Sequence, residues 1–433
     1  MSSVDKISTT NNSFNSIVCA NIFYESNVFQ DVDPGFLFDF RPNCVTDDYF
    51  AVEQWGLHTS NYGINACGAW ELTTGVPKIR IALVDSGIST THQEFNHLNI
   101  VASYNAVTQT TGAACYSPHG TTTGGVIFAD HNENRIAGVS PDCSLLNVCI
   151  PLLPNYIDRF ASCINWAVQN NADVINCSWG DKTGLYYDLM HSSILEEAID
   201  NAIENGRNGK GCILIFAAGN NDTIQTIVDY PAYYRPENIT IGSSNSLGYR
   251  SPWSVYGPTL DFIAPGQNIF TTMPNWSYDY ASGTSLAAPY VAGVAALVLS
   301  INPCLTREEV TYILESTCTK IRPDLYTYGN NQDHPNGSWN TQVGHGLVNA
   351  YEAVLLAQQM GGYVFRNQTE IQSNTLWDSA SLINNDLIID SLATLTITDT
   401  LYIAGGSCII VRPGGKLIVD GGTLTSACDG EIR

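Results

Sequence analysis

The sequence predicts an α/β fold, with a three-layer α/β/α domain around a mostly parallel sheet and a small all-β segment after it. The first observation is an alternation, from Lys78 onward, of short apolar runs with longer stretches of helical periodicity. The second is a change of pattern after Leu382, where apolar pairs recur every six to eight residues between glycine-rich or polar turns. Alternating strands and helices form parallel sheets covered by helices, whereas short, evenly spaced strands form all-β structures.

Five runs are predicted to be buried strands because they are short, nearly continuous in apolar residues and rich in β-branched side chains. They are Ile79–Val84, Leu145–Cys149, Val174–Cys177, Cys212–Ala217 and Ile239–Ile241. The stretches between them that have helical length and periodicity are Phe160–Gln169 and Ser193–Asn205. Because sites in open parallel sheets form beyond the carboxyl ends of strands, we expect Asp85 and Asn220, which follow two of these runs, to lie at a site.

The C-terminal segment is predicted to be a β-solenoid or β-roll. Its apolar pairs are separated by turns such as Gly405-Gly406, Pro413-Gly414-Gly415 and Gly421-Gly422. Short strands repeated with glycine corners are typical of stacked coils. A β-sandwich fragment gives a similar spacing and remains an open alternative. Because a solenoid that ended at Arg433 would leave an uncapped coil, we expect the native protein to continue.

Composition argues against several classes of partner. The 433 residues include 41 acidic and 18 basic side chains, which gives a net charge of −23. Nucleic acids and anionic membranes are bound by clustered Lys and Arg, so neither is an expected partner. No window reaches the run of about 18 apolar residues that a membrane span requires.

The 13 cysteines show no spacing typical of a zinc site. Cys177 and Cys212 lie in apolar runs and are expected to be buried thiols. Cys304 and Cys318 flank a predicted helix and could form a disulfide, although the sequence does not decide this.

Four short blocks carry the chemistry. Val84-Asp85-Ser86-Gly87-Ile88 offers a carboxylate after a strand, and His119-Gly120-Thr121 opens with an imidazole. Gly283-Thr284-Ser285-Leu286 places a hydroxyl before an apolar helix, and Ala217-Ala218-Gly219-Asn220 ends in an amide. A serine hydroxyl is a weak nucleophile until a base takes its proton, and imidazole titrates in the required range. A serine at a helix start also lies among backbone N–H groups that favour negative charge.

Each block alone has a simpler explanation. Asp85 and Asn220 could be turn residues, His119 a surface side chain and Ser285 a helix N-cap. The presence of all four in one chain makes that set of explanations improbable and favours a serine nucleophile with its base and supporting groups.

On these motifs the chain resembles the subtilisin-like serine proteases, or subtilases, from about residue 48 to residue 358. The resemblance implies that Ser285 is the nucleophile, His119 its general base and Asp85 the carboxylate that orients His119. It also implies that Asn220 and the backbone N–H of Ser285 form the oxyanion hole.

The resemblance further implies a substrate cleft. Ser178, Trp179 and Gly180 would pair with an extended substrate by strand addition. Together with Ala217-Ala218-Gly219 they would wall the pocket for the side chain that precedes the cut. An ordinary strand-to-loop turn at residues 178–180 is the alternative. No acidic residue in these blocks plainly lies at the base of the pocket, so the sequence makes no prediction of basic specificity.

Three parts are expected along the chain: residues 1–45 as the remnant of an N-terminal prodomain, residues 46–358 as the peptidase domain, and residues 359–433 as an incomplete β-rich segment. The stretch Trp55-Gly56-Leu57 resembles the start of mature subtilases, which an inhibitory prodomain precedes. An ordinary N-terminal extension is the alternative for the first part. We expect the rest of the prodomain and a signal peptide upstream of Met1, and therefore a secreted or cell-surface protein.

No cofactor is expected to be required, and no residue is assigned to a metal. Glu94 and the polar loop 130–134 lie where many subtilases build a structural Ca²⁺ site from oxygen ligands. A solvated polar loop is the alternative.

The expected activity is hydrolysis of peptide bonds in extended polypeptides through an acyl-enzyme. One alternative is a catalytically silent scaffold used for binding or adhesion, although all four catalytic positions are filled. The other is a transferase that passes the acyl group to an amine rather than to water, and the sequence leaves this alternative open.

Overall fold

The computed structural model describes residues 53–58, 62–112, 117–132, 135–150, 157–181, 188, 191–221 and 226–428. The predicted prodomain remnant, residues 1–45, lies outside these ranges.

The predicted strands belong to one large sheet. Its members are β1 (Arg80–Asp85), β2 (Ile100–Asn105), β3 (Thr110–Thr111), β4 (Ser144–Cys149), β5 (Val174–Cys177), β6 (Ile213–Ala217), β7 (Ile239–Ser244) and β8 (Phe262–Pro265). They lie in the order β3-β2-β4-β1-β5-β6-β7-β8, and every neighbouring pair is parallel except β2 with β3. Apart from the half-buried Arg80 at the start of β1, the residues of the central strands β1, β4, β5 and β6 are buried, which explains their almost uninterrupted apolar sequences.

Helices cover both faces of the sheet. They are α1 (Ala66–Trp70), α2 (Pro118–Phe128), α3 (Ile157–Gln169), α4 (Ser193–Gly209), α5 (Thr284–Ile301), α6 (Arg307–Ser316) and α7 (Ala350–Gly361). Helices α2, α5 and α7 contribute to the hydrophobic core on one face, whereas the predicted helices α3 and α4 contribute to the core on the other. The predicted three-layer α/β/α architecture is therefore confirmed.

Helix α5 is the central helix of the first core. Among the described residues it is the one helix long and apolar enough to cross a membrane, and 94% of it is buried inside the protein. A helix that is apolar on all sides is typical of a protein interior. Its first turn carries Ser285, so the packing of this helix fixes the position of that residue.

Two antiparallel hairpins complete the α/β domain. Strands β9 (Ile269–Met273) and β10 (Ser277–Ala281) lead into α5. Strands β11 (Gly329–Asn331) and β12 (His334–Trp339) follow α6.

The C-terminal segment is a three-sided coil of parallel strands, as the solenoid prediction expected. Its strands run from β13 (Val364–Phe365) through β14 (Glu370–Ile371), β15 (Thr375–Trp377), β16 (Ser381–Ile383), β17 (Leu387–Ile389), β18 (Thr394–Ile397), β19 (Thr400–Ile403), β20 (Ile409–Val411) and β21 (Lys416–Val419) to β22 (Thr423–Ser426). Each strand pairs with the third strand after it, in the rows β13-β16-β19-β22, β14-β17-β20 and β15-β18-β21. Parallel pairing at this regular interval excludes the β-sandwich, whose sheets are antiparallel. Side chains such as Trp377 and Leu395 fill the interior.

The coil is joined to the α/β domain by covalent and polar contacts. Cys304, which follows α5, forms a disulfide with Cys428. The pairing of Cys304 with Cys318, which the sequence left open, does not form, because Cys318 is a free, buried thiol. Asn384 of the coil donates a hydrogen bond to the carbonyl oxygen of Ser300 at 3.0 Å. Cys177 and Cys212 are buried free thiols, as expected.

Candidate active site

Asp85 is the last residue of β1, at the carboxyl edge of the sheet. Its side chain is fully buried, and its charge is met by three donors rather than by water. Oδ1 accepts the backbone N–H of Ser86 at 2.6 Å, Oδ2 lies 3.1 Å from the Thr123 hydroxyl, and both oxygens face the ring of His119. A buried carboxylate needs such partners to remain charged.

His119 lies in the first turn of α2, opposite Asp85. Its Nδ1 is 2.8 Å from Asp85 Oδ1 and 3.0 Å from Oδ2, so Nδ1 carries a proton and Nε2 is the nitrogen available to a reaction. Burial lowers the pKa of His119, but the charge of Asp85 and the hydrogen bond to it outweigh burial. The pKa of His119 is therefore raised above the usual 6.5.

Ser285 lies in the first turn of α5, and its side chain is almost buried. It shares with His119 and Asn220 a cleft of about 710 Å³. Between these described residues there is no hydrogen bond from Ser285 Oγ to the His119 ring. Such bonds are often long in enzymes without substrate and tighten when the substrate binds.

Gly283, just before α5, has no side chain and leaves open the space next to Ser285 Oγ and Asn220 Nδ2. A Cβ placed on it would lie 2.8 Å from Ser285 Oγ and 3.8 Å from Asn220 Nδ2. The hydroxyl and the amide nitrogen therefore face one point, and a larger residue at position 283 would obstruct it.

Asn220 follows β6 and is oriented by the first residue of α5. Its Oδ1 accepts the backbone N–H of Thr284 at 2.9 Å and lies 3.1 Å from the Thr284 hydroxyl. A backbone N–H can only donate, so the amide oxygen is fixed towards Thr284 and Nδ2 is left to donate into the cleft. Thr284 thus positions the amide that the sequence assigned to the oxyanion hole.

The predicted substrate-binding residues fall into two groups. Ser178, Trp179, Gly180, Ala217 and Gly219 line the same cleft as Ser285. Ala218 does not line it, because its side chain is fully buried in the core on the α3–α4 face of the sheet.

Trp179 is held by packing. It donates its ring N–H to the carbonyl oxygen of Val84 at 2.9 Å and packs against Phe160 and Phe216. Trp179 could narrow the cleft or simply pack, and these ring contacts favour packing of the cleft wall.

Sequence reasoning missed two carboxylates of the cleft, Asp181 and Asp229. Neither lies in the four blocks, although Asp181 directly follows Gly180. Their backbones are brought together by hydrogen bonds between Asp181 and Tyr230. The sequence marks Asp229 only as an acidic residue directly before Tyr230-Pro231, and this signal can be recognised only once the structure is known.

The described part of the proposed Ca²⁺ site does not form a ligand set. Glu94 accepts a hydrogen bond from the Tyr278 hydroxyl, and Asp130 accepts the backbone N–H of His97 at 3.1 Å. No cluster of three or more His, Cys, Asp or Glu suitable for a metal exists in the described ranges, and Glu133 and Asn134 lie outside them.

Comparisons with known proteins identify the family of the chain. Residues 77–346 match the family model Peptidase_S8, described as the subtilase family. Subtilisin E of Bacillus subtilis (strain 168) is 37% identical over 294 residues, which cover 66% of this chain and 72% of that protein. A protein named "Calcium-dependent protease" from Nostoc is 32% identical over 421 residues, which cover 84% of this chain and 61% of that protein.

Solved structures show the same likeness. The prenylagaramide maturation protease PagA has a TM-score of 0.55 at 26% identity, covering 67% of this chain and 98% of that one. A protease from Pseudoalteromonas arctica has a TM-score of 0.59 at 25% identity, covering 72% of this chain and 99% of that one. The match of the family model over most of the α/β domain and the identity to the subtilisins lead to one conclusion: this chain belongs to the subtilase family and is a subtilisin-like serine protease.

Proposed function

We propose that the protein is an endopeptidase that hydrolyses extended polypeptides through an acyl-enzyme on Ser285. The observation that carries the proposal is the hydrogen-bonded pair His119–Asp85 in one cleft with Ser285 and Asn220. The named subtilisin relatives give the reaction class, and the cleft supplies the residues for it.

In the proposed first half-reaction, His119 Nε2 takes the proton of Ser285 as Oγ attacks the carbonyl carbon of the scissile bond. Asp85 stabilises the imidazolium that forms and holds the ring in the required tautomer. The negative charge that develops on the carbonyl oxygen receives hydrogen bonds from Asn220 Nδ2 and the backbone N–H of Ser285. His119 then gives its proton to the leaving amine, and the acyl group remains on Ser285.

In the second half-reaction a water molecule takes the place of the amine. His119 removes a proton from this water, which attacks the ester, and the carboxylic acid product leaves as Ser285 regains its proton. The substrate backbone is proposed to lie along Ser178, Trp179 and Gly180, which follow β5 and line the cleft. An extended peptide there would pair its backbone with these residues by strand addition.

A fluorophosphonate probe tests the acyl-enzyme. We expect the probe to label the wild type and to leave Ser285→Ala unlabelled, because only an activated serine is phosphonylated. Ser277→Ala is a matched control, since Ser277 is exposed in the β9–β10 hairpin, and it should label like the wild type. Absence of labelling in folded wild-type protein would favour the silent scaffold. The mass of the peptide products then separates hydrolysis from transfer to an amine.

We also propose the domain organisation and location that the sequence suggested: a prodomain remnant in residues 1–45, a peptidase domain in residues 46–358 and a β-rich segment in residues 359–433. The Cys304–Cys428 disulfide supports a secreted or cell-surface location, because such bonds persist in oxidising compartments. Refolding tests the prodomain: a subtilase prodomain added in trans should raise the yield of active enzyme, and an unchanged yield would count against it.

The proposed steps use protein groups alone. A structural Ca²⁺ ion is a separate hypothesis. It is supported by the name of the Nostoc relative, "Calcium-dependent protease", and not by the described residues around Glu94. Its test is the melting temperature with and without EDTA: a fall on chelation supports a bound ion, and an unchanged value argues against one.

A further inference from the structure

The carboxylate of Asp229 lies between the two walls of the cleft. A Cβ placed on Gly219 would lie 2.3 Å from Asp229 Oδ2 and 2.4 Å from its Cγ. A Cβ placed on Gly180 would lie 2.9 Å from Asp229 Cβ and 3.7 Å from Oδ2. Both glycines are therefore needed to make room for this side chain. Both line the cleft, and the sequence predicts that they wall the pocket for the substrate side chain before the scissile bond.

The backbone around Asp229 is fixed from both walls. Its N–H donates to the carbonyl oxygen of Ala218 at 3.0 Å, next to Gly219. The following residue, Tyr230, exchanges two backbone hydrogen bonds with Asp181, at 2.8 and 2.9 Å, next to Gly180. The carboxylate is thus presented by a segment that is bonded to the segment carrying each glycine. Such anchoring is what a specificity-determining group requires, because a loosely held charge gives little discrimination.

The described residues that line the cleft carry a negative charge. Among the described residues that line it, the charged side chains besides the His119 imidazole are Asp181 and Asp229. Asp229 is only 6% exposed, whereas Asp181 is exposed at the rim. An uncharged apolar side chain entering next to Asp229 would bring no hydrogen bond to this nearly buried carboxylate. A cationic side chain would donate hydrogen bonds to it, and its methylene groups would pack on the apolar wall at Ala217.

We propose that this subsite selects Arg or Lys immediately before the scissile bond, with the Asp229 carboxylate binding the cation. This inference rests on the proposed endopeptidase function and names its substrate class. It adds a specificity that the four sequence blocks do not contain.

The experiment compares peptides that differ only at the residue before the cut, namely Arg, Lys, norleucine and Phe. Norleucine matches the length of Lys and lacks the charge. For the wild type we expect kcat/KM for Arg and Lys to exceed that for norleucine by about 100-fold, the order of effect of a buried charge pair. Asp229→Asn should remove this preference while the norleucine peptide is cleaved at least as fast as before. Asp181→Asn, at the exposed rim, is the matched control and should retain most of the preference.

A wild type that cleaves after norleucine or Phe as fast as after Lys would overturn the proposal while leaving the endopeptidase function intact. The same holds if Asp229→Asn, shown to be folded by its melting curve, keeps the preference for Lys. Binding to Ser285→Ala by calorimetry decides the question without turnover, using product-like peptides that end in Lys or norleucine. Tighter binding of the Lys peptide supports the proposal, and equal binding overturns it, even if no peptide is hydrolysed and the proposed function itself fails.

Discussion

His119 faces a carboxylate that is shielded from water, and this pairing sets the pH range in which the ring can act as a base. The charge of Asp85 raises the pKa of His119 even though burial opposes it. A base must be unprotonated, so we expect kcat/KM to fall as the pH drops through a pKa above the 6.5 of an ordinary imidazole. A pH profile of kcat/KM measures this value directly, and an acidic limb below 6.5 would contradict it.

Thr123 contacts the same Asp85–His119 pair and affects the pKa of His119 through Asp85. Its hydroxyl lies 3.1 Å from Asp85 Oδ2 and 3.1 Å from the carbonyl oxygen of His119, and the charged acceptor is the stronger one. In Thr123→Val the carboxylate loses a donor that disperses its charge, so the imidazolium is favoured. We expect the acidic limb of kcat/KM to move up by about half a pH unit. Thr123→Ser keeps the hydroxyl and should behave like the wild type, whereas a downward shift in the valine variant would contradict the argument.

Thr284 contacts Asn220, the amide of the proposed oxyanion hole. Its hydroxyl lies 3.1 Å from Asn220 Oδ1 and accepts the backbone N–H of Gly219 at 3.2 Å. Thr284→Val removes both contacts and loosens an amide that matters most in the transition state. We expect kcat to fall about tenfold with KM nearly unchanged. Thr284→Ser should restore kcat, and a change confined to KM would indicate a role in substrate binding instead.

At the level of elements, the buried strands could be predicted because both of their faces pack against helices. The strands towards the two sides of the sheet could not be predicted in the same way. Strand β2 is partly exposed and lacks a continuous apolar run, and β8 is short and ends in Pro265. Their places in the sheet depend on pairing with β4 and β7, which are distant in sequence. Such long-range pairing leaves little local signal.

The C-terminal coil owes its stability to side chains that point inward. Leu395 in β18 is fully buried, whereas Leu392 in the preceding turn is 94% exposed. We expect Leu395→Ala to lower the free energy of unfolding of the coil by about 2–5 kcal/mol, since it leaves a cavity. The matched variant Leu392→Ala should change it by less than about 0.5 kcal/mol. Differential scanning calorimetry measures both, and equal effects would argue against the inward assignment of Leu395.

In the whole molecule, a buried cluster outside the candidate site links stability to pH. Glu315 and Asp261 lie side by side, and burial is the main cause that raises the pKa of both carboxyls, that of Glu315 to about 7. Asn336 donates to Glu315 at 2.6 Å, and His345 lies 3.8 Å away. Burial, together with the nearby charges of Lys320 and His334, lowers the pKa of His345 to about 4.

Together, the pKa shifts of Glu315 and His345 favour stability in a narrow pH range. The contribution of Glu315 is complete below its ordinary pKa of 4.5 and is lost as the pH rises through about 7. The contribution of His345 is complete above its ordinary 6.5 and is lost as the pH falls through about 4. From these groups we expect the melting temperature to be highest between pH 4.5 and 6.5.

Glu315→Gln tests this. It should remove the contribution of Glu315 to the decline of stability between pH 5 and 8, which is on the order of 3 kcal/mol and is partly offset in the wild type by the opposite contribution of His345 below pH 6.5. The exposed Glu71 provides the control Glu71→Gln, whose melting curve should follow the wild type across this range. An alkaline decline that persists in Glu315→Gln would place its origin elsewhere.

The candidate site combines predictable and unpredictable parts for one topological reason. Asp85 and Asn220 follow strands β1 and β6, whose carboxyl ends lie at one edge, and His119 and Ser285 begin helices that pack beneath that edge. Their motifs are local, so they could be recognised one at a time. Asp229 is held at the cleft by its own backbone hydrogen bond to Ala218 and by those of its neighbour Tyr230 to Asp181, and no local sequence pattern indicates such contacts.

The bond between Cys304 and Cys428 matters for a protein that itself cuts chains. The two cysteines are 124 residues apart, so a nick anywhere between them leaves both pieces tethered through sulfur. Nicked molecules would migrate as one band on a non-reducing gel and as two after treatment with dithiothreitol. Self-digestion alone would therefore not release the C-terminal coil; shedding it would take a cut and a reductant together.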